Sequence, residues 1–292
     1  MLCEKPMAPT VADAEAMAEA AGKSDRVAAV GFTFRRSPAI NAIREQITDG
    51  SLGKVMHFNG HYWCDYGFDK DAPMSWRYKG GPGSGALSDI GSHLVDLGEF
   101  LCGPVDSVRG SVLSTLIPDR PVPLGTVVGH SAKVAVSETR EPVENEDVVT
   151  FTATYASGAV GTFSVSRIAC GLPNSLGFEV FCEGGAAAFD LARAAEFTIA
   201  DGSAPEPVNG YRQVLVGPGH PYITRGLPMD FPSVGHGQND LFVFQARAFL
   251  DQIAGLSELP PCPALADGLH NMRALEAIVA AADTDGKAVK VK

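Results

Sequence analysis

The sequence lacks any run of about 18 apolar residues, the length that a membrane-spanning helix needs. Its first residues have neither the basic nor the apolar stretch of a secretory signal. The cysteines are few and far apart, without the C-x-x-C spacing of a zinc or redox site. They are Cys3, Cys64, Cys102, Cys170, Cys182 and Cys262. These absences predict a soluble, cytoplasmic protein with reduced thiols.

Clusters of lysine and arginine are also missing. The formal net charge of -11 belongs to a chain of 292 residues whose isoelectric point is near 5.1. Such a charge repels phosphate backbones and anionic lipid surfaces. The sequence therefore predicts neither a nucleic-acid partner nor a membrane partner.

A further absence is a G-x-G-x-x-G segment, which binds the pyrophosphate of a dinucleotide between a strand and a helix. Glycine-rich runs occur at 80–85 and at Gly184-Gly185. Neither run follows a strand-to-helix passage of that kind, so neither is interpreted as a nucleotide site.

What is present begins with a strand–helix–strand–helix rhythm over residues 1–50. A short strand at Met1–Glu4 is followed by a helix that starts near Thr10. A second strand, Val27–Phe32, precedes a helix that Pro38 opens and Asp49-Gly50 closes. This rhythm is typical of a parallel sheet.

The pattern changes after Gly53, and we place a domain boundary near residue 50. In residues 54–63 the side chains alternate between two faces. One face carries His57, Asn59, His61 and Trp63, and the other carries Met56, Phe58 and Tyr62. Further strand pairs are predicted at 148–155 with 159–166 and at 177–182 with 186–190, and helices at 240–253 and 267–282.

The most informative segment is Trp76–Phe100, where glycines lead into a helix. An apolar stripe at helical spacing predicts its buried face. That stripe consists of Leu87, Ile90, Leu94, Leu97 and Leu101. A parallel polar stripe holds Asp89, His93 and Asp96. Because Asp89 and His93 are four residues apart, the carboxylate can orient the imidazole, favour its protonated form and hold it as a general base.

Lys5 lies between Glu4 and Pro6 at the end of the first strand, where open parallel sheets bind ligands. An ammonium there can donate a hydrogen bond to a substrate hydroxyl and stabilise the developing alkoxide. Taken singly, each motif also has an ordinary structural interpretation. Lys5 can be a solvated turn lysine, Asp89 a first-turn acid and His93 a histidine at the core edge.

Together the motifs resemble the Gfo/Idh/MocA oxidoreductase family. The family's E-K-P, W-R and G-x-L-x-D-x-G-x-H-x-x-D patterns read here as Glu4-Lys5-Pro6, Trp76-Arg77 and Gly85–Asp96. The resemblance implies an α/β plus α+β fold. Residues 1–50 are expected to be the C-terminal remnant of a dinucleotide-binding Rossmann domain. Residues 51–292 are expected to form a substrate-binding and oligomerisation domain, with a large, mostly antiparallel open sheet covered by helices on one side.

The resemblance also implies an NAD(P)-dependent dehydrogenase that oxidises a hydroxyl of a sugar, anhydrosugar or inositol. Lys5 is expected to polarise that hydroxyl, His93 to take its proton and Asp89 to orient both substrate and histidine. NAD or NADP is expected to lie near Glu4, Lys5, Pro6, Trp76 and Arg77. Because the glycine-rich start of the Rossmann domain is missing, we expect a truncated gene product or a start codon assigned too late. Impaired activity is expected, and the first 50 residues are expected to be poorly stable in isolation.

Weaker candidates for the substrate pocket are Trp63, Asp65, Tyr66 and the stretch His236-Gly237-Gln238, which offer a stacking face and hydroxyl-binding groups. The moderately polar side of the sheet predicts a homo-oligomer, a dimer or a tetramer.

The alternative to a dehydrogenase is a non-catalytic sugar-binding or dimerising module of the same fold. A metal-dependent hydrolase using His57, His61, Asp89 and His93 has little support, and no metal site is predicted.

Overall fold

The computed structural model describes residues 1–81, 83–129, 134–226, 229, 231 and 234–292. A nine-stranded, mostly antiparallel sheet carries helices on one face, and a two-stranded parallel sheet lies at the N-terminus. Residue 82 of the glycine run falls outside the described residues. The predicted fold class is confirmed.

The N-terminal elements are β1 (Leu2–Cys3), α1 (Val11–Gly22), β2 (Ala29–Val30) and α2 (Pro38–Thr48). β1 and β2 pair in parallel, as predicted. Each helix has a side-chain cap at its start: Thr10 accepts from the Asp13 N–H of α1, and Ser37 accepts from the Ile40 N–H of α2.

The predicted strand over 27–32 is too long, because only residues 29 and 30 pair in the sheet. The chain turns at Thr33–Arg36 into a 3₁₀ helix instead. This turn brings two arginines inward. The Arg36 guanidinium donates to the carbonyls of Pro260 (2.7 Å) and Pro261 (3.0 Å), which ties the turn to the C-terminal part of the chain.

The large sheet has the order β12-β11-β10-β9-β3-β8-β7-β4-β13. All neighbours run antiparallel except β3 and β8, which are parallel. Its strands are β3 (Val55–Trp63), β4 (Val105–Ser114), β7 (Val148–Tyr155), β8 (Val160–Ser166), β9 (Ser175–Cys182), β10 (Gly185–Asp190), β11 (Glu196–Asp201), β12 (Arg212–Leu215) and β13 (Val289–Lys290). A separate hairpin pairs β5 (Asp119–Pro123) with β6 (Val136–Pro142).

The remaining helices are α3 (Ser92–Cys102), α4 (Pro221–Gly226), α5 (Gln238–Ile253) and α6 (Leu265–Ala282). α3 packs on β3 and α6 packs on β4. A π-helical turn, Leu87–Gly91, leads directly into α3. The predicted apolar stripe of this segment is confirmed, since Leu87, Ile90, Leu94, Leu97 and Leu101 are all buried.

The two faces of the large sheet differ in burial. On β7 the side chains of Phe151, Ala153 and Tyr155 are buried under the helices, whereas Thr150, Thr152 and Thr154 lie on the other side, here called the open face. On β3, Phe58 and Tyr62 share one face, as predicted, and both are buried. Met56 was predicted to share their face, but it is exposed because the β3–β9 register shifts between Val55 and His57.

One continuous apolar core joins Ile40 of the first 50 residues to Leu94 of α3 and Phe178 of β9. The boundary near residue 50 stays a prediction. All six cysteines are free. None of the described helices combines the length and the apolar composition that crossing a membrane requires.

Candidate active site

One cleft of about 420 Å³ collects the three residues predicted to carry the chemistry. Lys5 follows β1, Asp89 lies in the π turn, and His93 lies in the first turn of α3. Lys5 thus lines the same cleft as Asp89, although the two residues are 84 positions apart in the chain. The other lining residues are Tyr62, Cys64, Asp65, Tyr66, Ile90, Pro173, Asn174 and Gln238.

Lys5 and Asp89 form the charged centre of this cleft. The Lys5 ammonium donates to the Asp89 carbonyl oxygen and lies 3.5 Å from its Oδ1. The Tyr66 hydroxyl donates to Asp89 Oδ2 over 2.9 Å. Burial lowers the pKa of Lys5, and the attraction of Asp89 opposes that shift. The Asp89 carboxylate therefore favours the charged form of Lys5 in a position where burial disfavours it.

His93 is partly exposed to the cleft and otherwise enclosed by aromatic rings. Its imidazole meets Phe34 edge-on, with centroids 5.0 Å apart, and lies 6.2 Å from the ring of Tyr62. Burial, and then the charge of Lys5, lower the pKa of His93 well below its ordinary value. A neutral imidazole is a proton acceptor at neutral pH.

The predicted pairing of Asp89 with His93 is not what the structure shows. The Asp89 carboxylate is directed to Lys5 and Tyr66. The pKa of His93 is lowered rather than raised, so Asp89 does not favour the protonated imidazole. Among the described residues, the buried His93 Nδ1 has no hydrogen-bond partner.

The turn before the π segment fixes where Asp89 enters the cleft. Glu146 accepts a hydrogen bond from the Leu87 N–H at 2.8 Å and thereby caps the helical segment. Gly85 beside it has a φ of +92°, and a Cβ there would meet the Glu146 carboxylate at 2.3–2.6 Å. Glycine is required at 85 for both reasons.

Trp76 and Arg77 lie next to Lys5, in a 3₁₀ turn at Trp76–Tyr78. The Arg77 carbonyl accepts from Asn145 Nδ2 (2.9 Å) and from Arg167 Nη1 (3.0 Å), which anchors the turn. A smaller cavity adjoins the cleft here. Its walls are Lys5, Pro6, Tyr66, Trp76, Arg77, Gly83, Ser84, Gly85 and Asp89.

Trp63 and His236, two predicted substrate residues, lie elsewhere. Trp63 lies on the open face, where its ring stacks on His61 with centroids 3.9 Å apart. Its Nε1 donates a hydrogen bond of 3.0 Å to Ser164 Oγ. His236 packs edge-on against Phe244 of α5, with centroids 6.2 Å apart. Neither residue is among the described lining residues of the cleft. Glu4, predicted to contact cofactor, is exposed and lies beside Gly31.

Three lining residues are joined by hydrogen bonds, and of these only Gln238 was a candidate from the sequence, as a member of the stretch His236-Gly237-Gln238. The Tyr62 hydroxyl donates to Asn174 Oδ1 at 2.9 Å, and Asn174 Nδ2 donates to Gln238 Oε1 at 2.5 Å. Alternation along β3 could have placed Tyr62 here, because it lies on the helix-covered side opposite Trp63. No sequence signal indicates Asn174, whose position depends on the loop before β9.

Asp96, the third member of the predicted polar stripe, has a structural role. It is fully enclosed and accepts from Arg35 Nε at 3.0 Å and from Nη2 at 2.7 Å. Burial, partly offset by Arg35, raises the pKa of Asp96 to about 6. It does not line the cleft among the described residues.

The hydrolase alternative gains no support from the placement of its histidines. His57 stacks on Phe181 and His61 on Trp63, both on the open face, while His93 lines the cleft under the helices. Within the described part of the chain, no group of three or more His, Cys, Asp or Glu side chains is arranged to hold a metal ion.

Comparison with known proteins finds related dehydrogenases. Residues 40–188 match the GFO/IDH/MocA C-terminal domain. The chain is 34% identical over 289 residues to levoglucosan dehydrogenase of Pseudarthrobacter phenanthrenivorans, which covers 97% of this chain and 71% of that protein. It is 29% identical over 103 residues to glucose-6-phosphate 3-dehydrogenase of Bacillus subtilis, covering 35% and 29% of the two chains.

Solved structures show the same similarity in three dimensions. Levoglucosan dehydrogenase in complex with NADH and L-sorbose superposes with a TM-score of 0.88 at 33% identity, covering 100% of this chain and 73% of that one. An oxidoreductase domain protein from Kribbella flavida superposes with a TM-score of 0.87 at 36% identity, covering 100% and 74%.

Proposed function

The chain belongs to the GFO/IDH/MocA family, and on that premise we propose that it is an NAD(P)-dependent dehydrogenase that oxidises a hydroxyl group of a cyclic sugar or anhydrosugar. The observation that carries the proposal is the shared cleft of Lys5, Asp89 and His93. It holds a charged donor and a neutral base beside each other. Those are the two groups that alcohol oxidation needs.

Alcohol oxidation removes a proton from the hydroxyl oxygen and a hydride from the carbon that bears it, which leaves a carbonyl. The Lys5 ammonium donates a hydrogen bond to that oxygen and stabilises its negative charge as the O–H bond breaks. The neutral imidazole of His93 accepts the proton. Asp89, fixed by Tyr66, keeps Lys5 in position and supplies an acceptor for a further substrate hydroxyl.

The residues around the smaller cavity fit the nicotinamide end of NAD(P). When bound, the nicotinamide ring supplies the acceptor for the hydride. Trp76 offers a flat indole that is 64% exposed, and the Arg77 Nε is buried without a partner among the described residues. Trp76, Arg77 and Pro6 would hold the ring and its amide next to Lys5. The sequence contains no G-x-G-x-x-G segment for the pyrophosphate.

We further propose that the open face mediates a homo-oligomer in the cytoplasm. Val112, Val160 and Phe181 are exposed on β4, β8 and β9, among the hydroxyl side chains of Thr150 and Thr162. Exposed apolar groups in a polar surround are typical of protein interfaces. Light scattering coupled to gel filtration should report at least a dimer, and Phe181→Glu should shift it towards monomer.

The catalytic proposal is tested by following NADH and NADPH formation with a panel of sugars, anhydrosugars and inositols. We expect NAD(P)-dependent oxidation of at least one cyclic sugar by the wild-type chain. Lys5→Met and His93→Gln should each lower kcat/KM for this oxidation by about a thousandfold while the sugar still binds. Sugar binding without any nicotinamide reduction would instead favour the non-catalytic module of the same fold.

A further inference from the structure

The cleft has two chemically different sets of lining groups. The first is the reacting set of Lys5, Asp89 and His93. The second is the uncharged chain Tyr62–Asn174–Gln238, whose members come from β3, from the loop before β9 and from the start of α5. Because each amide is held by a neighbour, the orientation of this second set is fixed before a ligand arrives.

The uncharged chain keeps hydrogen-bonding capacity for a ligand. Asn174 uses one amide hydrogen for Gln238, and Gln238 uses its carbonyl oxygen for Asn174. Further amide hydrogens and the lone pairs of the Tyr62 oxygen remain. Neutral donors and acceptors of this kind match sugar hydroxyls, which both donate and accept.

The charged groups that line the cleft also favour an uncharged ligand. Its described lining residues include two carboxylates, Asp65 and Asp89, but one ammonium, Lys5, which is already paired with Asp89. His93 adds no charge, since burial lowers its pKa. A phosphate or carboxylate on the ligand would therefore meet Asp65 without meeting a free cation among these residues.

We infer that the cleft selects uncharged cyclic sugars and rejects sugar phosphates and sugar acids, with Asp65 as the rejecting group and Asn174 and Gln238 as the hydroxyl-binding groups. This inference rests on the proposed function. By their names, one relative acts on an uncharged anhydrosugar, levoglucosan, and another on the charged glucose 6-phosphate. The inference places the ligand of this chain with the uncharged one. Placing a like charge against a fixed one commonly reduces affinity by about a hundredfold or more.

The test uses two ligands of nearly the same shape, glucuronate and glucuronamide, in which a charged carboxylate is replaced by a neutral amide. Calorimetric titration of the full chain, without nicotinamide, should show glucuronamide binding about a hundredfold more tightly than glucuronate. Glucose and glucose 6-phosphate form a second pair with the same expected order. Equal affinities within both pairs, or failure of both uncharged ligands to bind, would overturn the inference.

Variants assign the effect to residues. Asp65→Asn should narrow the glucuronamide-to-glucuronate ratio by about tenfold, whereas Asp69→Asn, an exposed acid outside the described cleft lining, should leave the ratio unchanged. Gln238→Ala should weaken both ligands equally by about tenfold, with Gln213→Ala, on the edge strand β12 and outside the described cleft lining, as its control. A folded Asp65→Asn variant with the wild-type ratio would remove Asp65 from the proposal.

The two proposals fail in different ways. If glucuronamide binds and glucuronate does not, but no sugar reduces NAD or NADP, then the charge selection stands and the dehydrogenase proposal fails. If uncharged sugars and sugar phosphates are oxidised with equal kcat/KM, then the dehydrogenase proposal stands and the charge selection fails.

Discussion

Asp89 and Asp96 lie in one helical segment, and each carboxylate faces one basic side chain. The two ion pairs differ in how far they are exposed to a ligand. The Asp96 side chain is 2% exposed and takes short, forked hydrogen bonds from Arg35. The Asp89 side chain is 30% exposed and lies 3.5 Å from Lys5 in a cleft. The same pair of charges therefore stabilises the fold at one end and remains available to a ligand at the other.

The geometry explains the division. Arg35 donates from Nε and Nη2 to the Asp96 carboxylate, and its Nη1 lies 3.4 Å from Asp267 Oδ1, so the fold itself satisfies the guanidinium. Lys5 is a point charge held by a carbonyl and a carboxylate, with further ammonium hydrogens to donate. Catalytic use of an ion pair requires this incomplete satisfaction.

The largest expected effect is on kcat/KM, and it should follow from the Lys5–Asp89 pair and not from the Arg35–Asp96 pair. Lys5→Met should lower kcat/KM by about a thousandfold, because it removes the group that stabilises the developing oxyanion. The midpoint of urea unfolding should change little. Lys54→Met, at an exposed position, is the control and should keep full activity. Equal losses in both variants would show that the effect comes from net charge.

The reverse experiment concerns stability. Asp96→Ala should lower the free energy of unfolding by about 3 kcal/mol, since it leaves the Arg35 guanidinium buried without its main partner. Urea titration gives this value, and kcat/KM per folded molecule should stay near wild type. The double variant Arg35→Met with Asp96→Leu should recover part of the loss. A stable Asp96→Ala protein with impaired turnover would instead assign Asp96 to the site.

Two histidines test the electrostatic side of the comparison. The pKa of His93 is lowered by burial and by Lys5, whereas the pKa of His270 is raised by its hydrogen bond with Glu99. Titration followed by NMR should therefore show His270 gaining its proton above pH 6.5 and His93 well below it. Because unfolded His93 takes up protons more readily, its contribution to stability is present above pH 6.5 and is lost as the pH falls. In Lys5→Met, the pKa of His93 should rise.

The smallest effect concerns the support of Asp89. Tyr66→Phe removes the 2.9 Å hydrogen bond to Oδ2 and should lower kcat/KM by about fivefold, the size expected for one such bond. Tyr211→Phe, at a half-exposed position, serves as its control. An unchanged kcat/KM in Tyr66→Phe would mean that Lys5 alone positions Asp89.

Much of the fold could be predicted, because strand alternation and helical spacing record which side chains are buried. The stripe of Leu87 to Leu101 and the hairpin of β7 and β8 are examples. The strand at 27–32 was predicted too long, since nothing local announces that Arg36 turns inward to the carbonyls of Pro260 and Pro261.

The site was predicted in part for a similar reason. Lys5, Asp89 and His93 carry a recognisable order of motifs, and the structure brings them to one cleft. Trp63 was predicted because an aromatic ring offers a stacking face for a sugar, but strand alternation places it on the side of the sheet opposite the cleft. Asn174 and Gln238 meet only through tertiary packing, which no local pattern records.

The π turn at Leu87–Gly91 makes this site sensitive to insertion and deletion in an unusual way. A π turn holds one residue more than an α turn, so the segment can lose one residue there by tightening to an ordinary α-helix. The apolar stripe of α3 would keep its place against β3, and the protein would still fold. The carboxylate of Asp89, however, would rotate away from Lys5. Loss of a single codon between 87 and 91 would therefore give a folded protein without its activity.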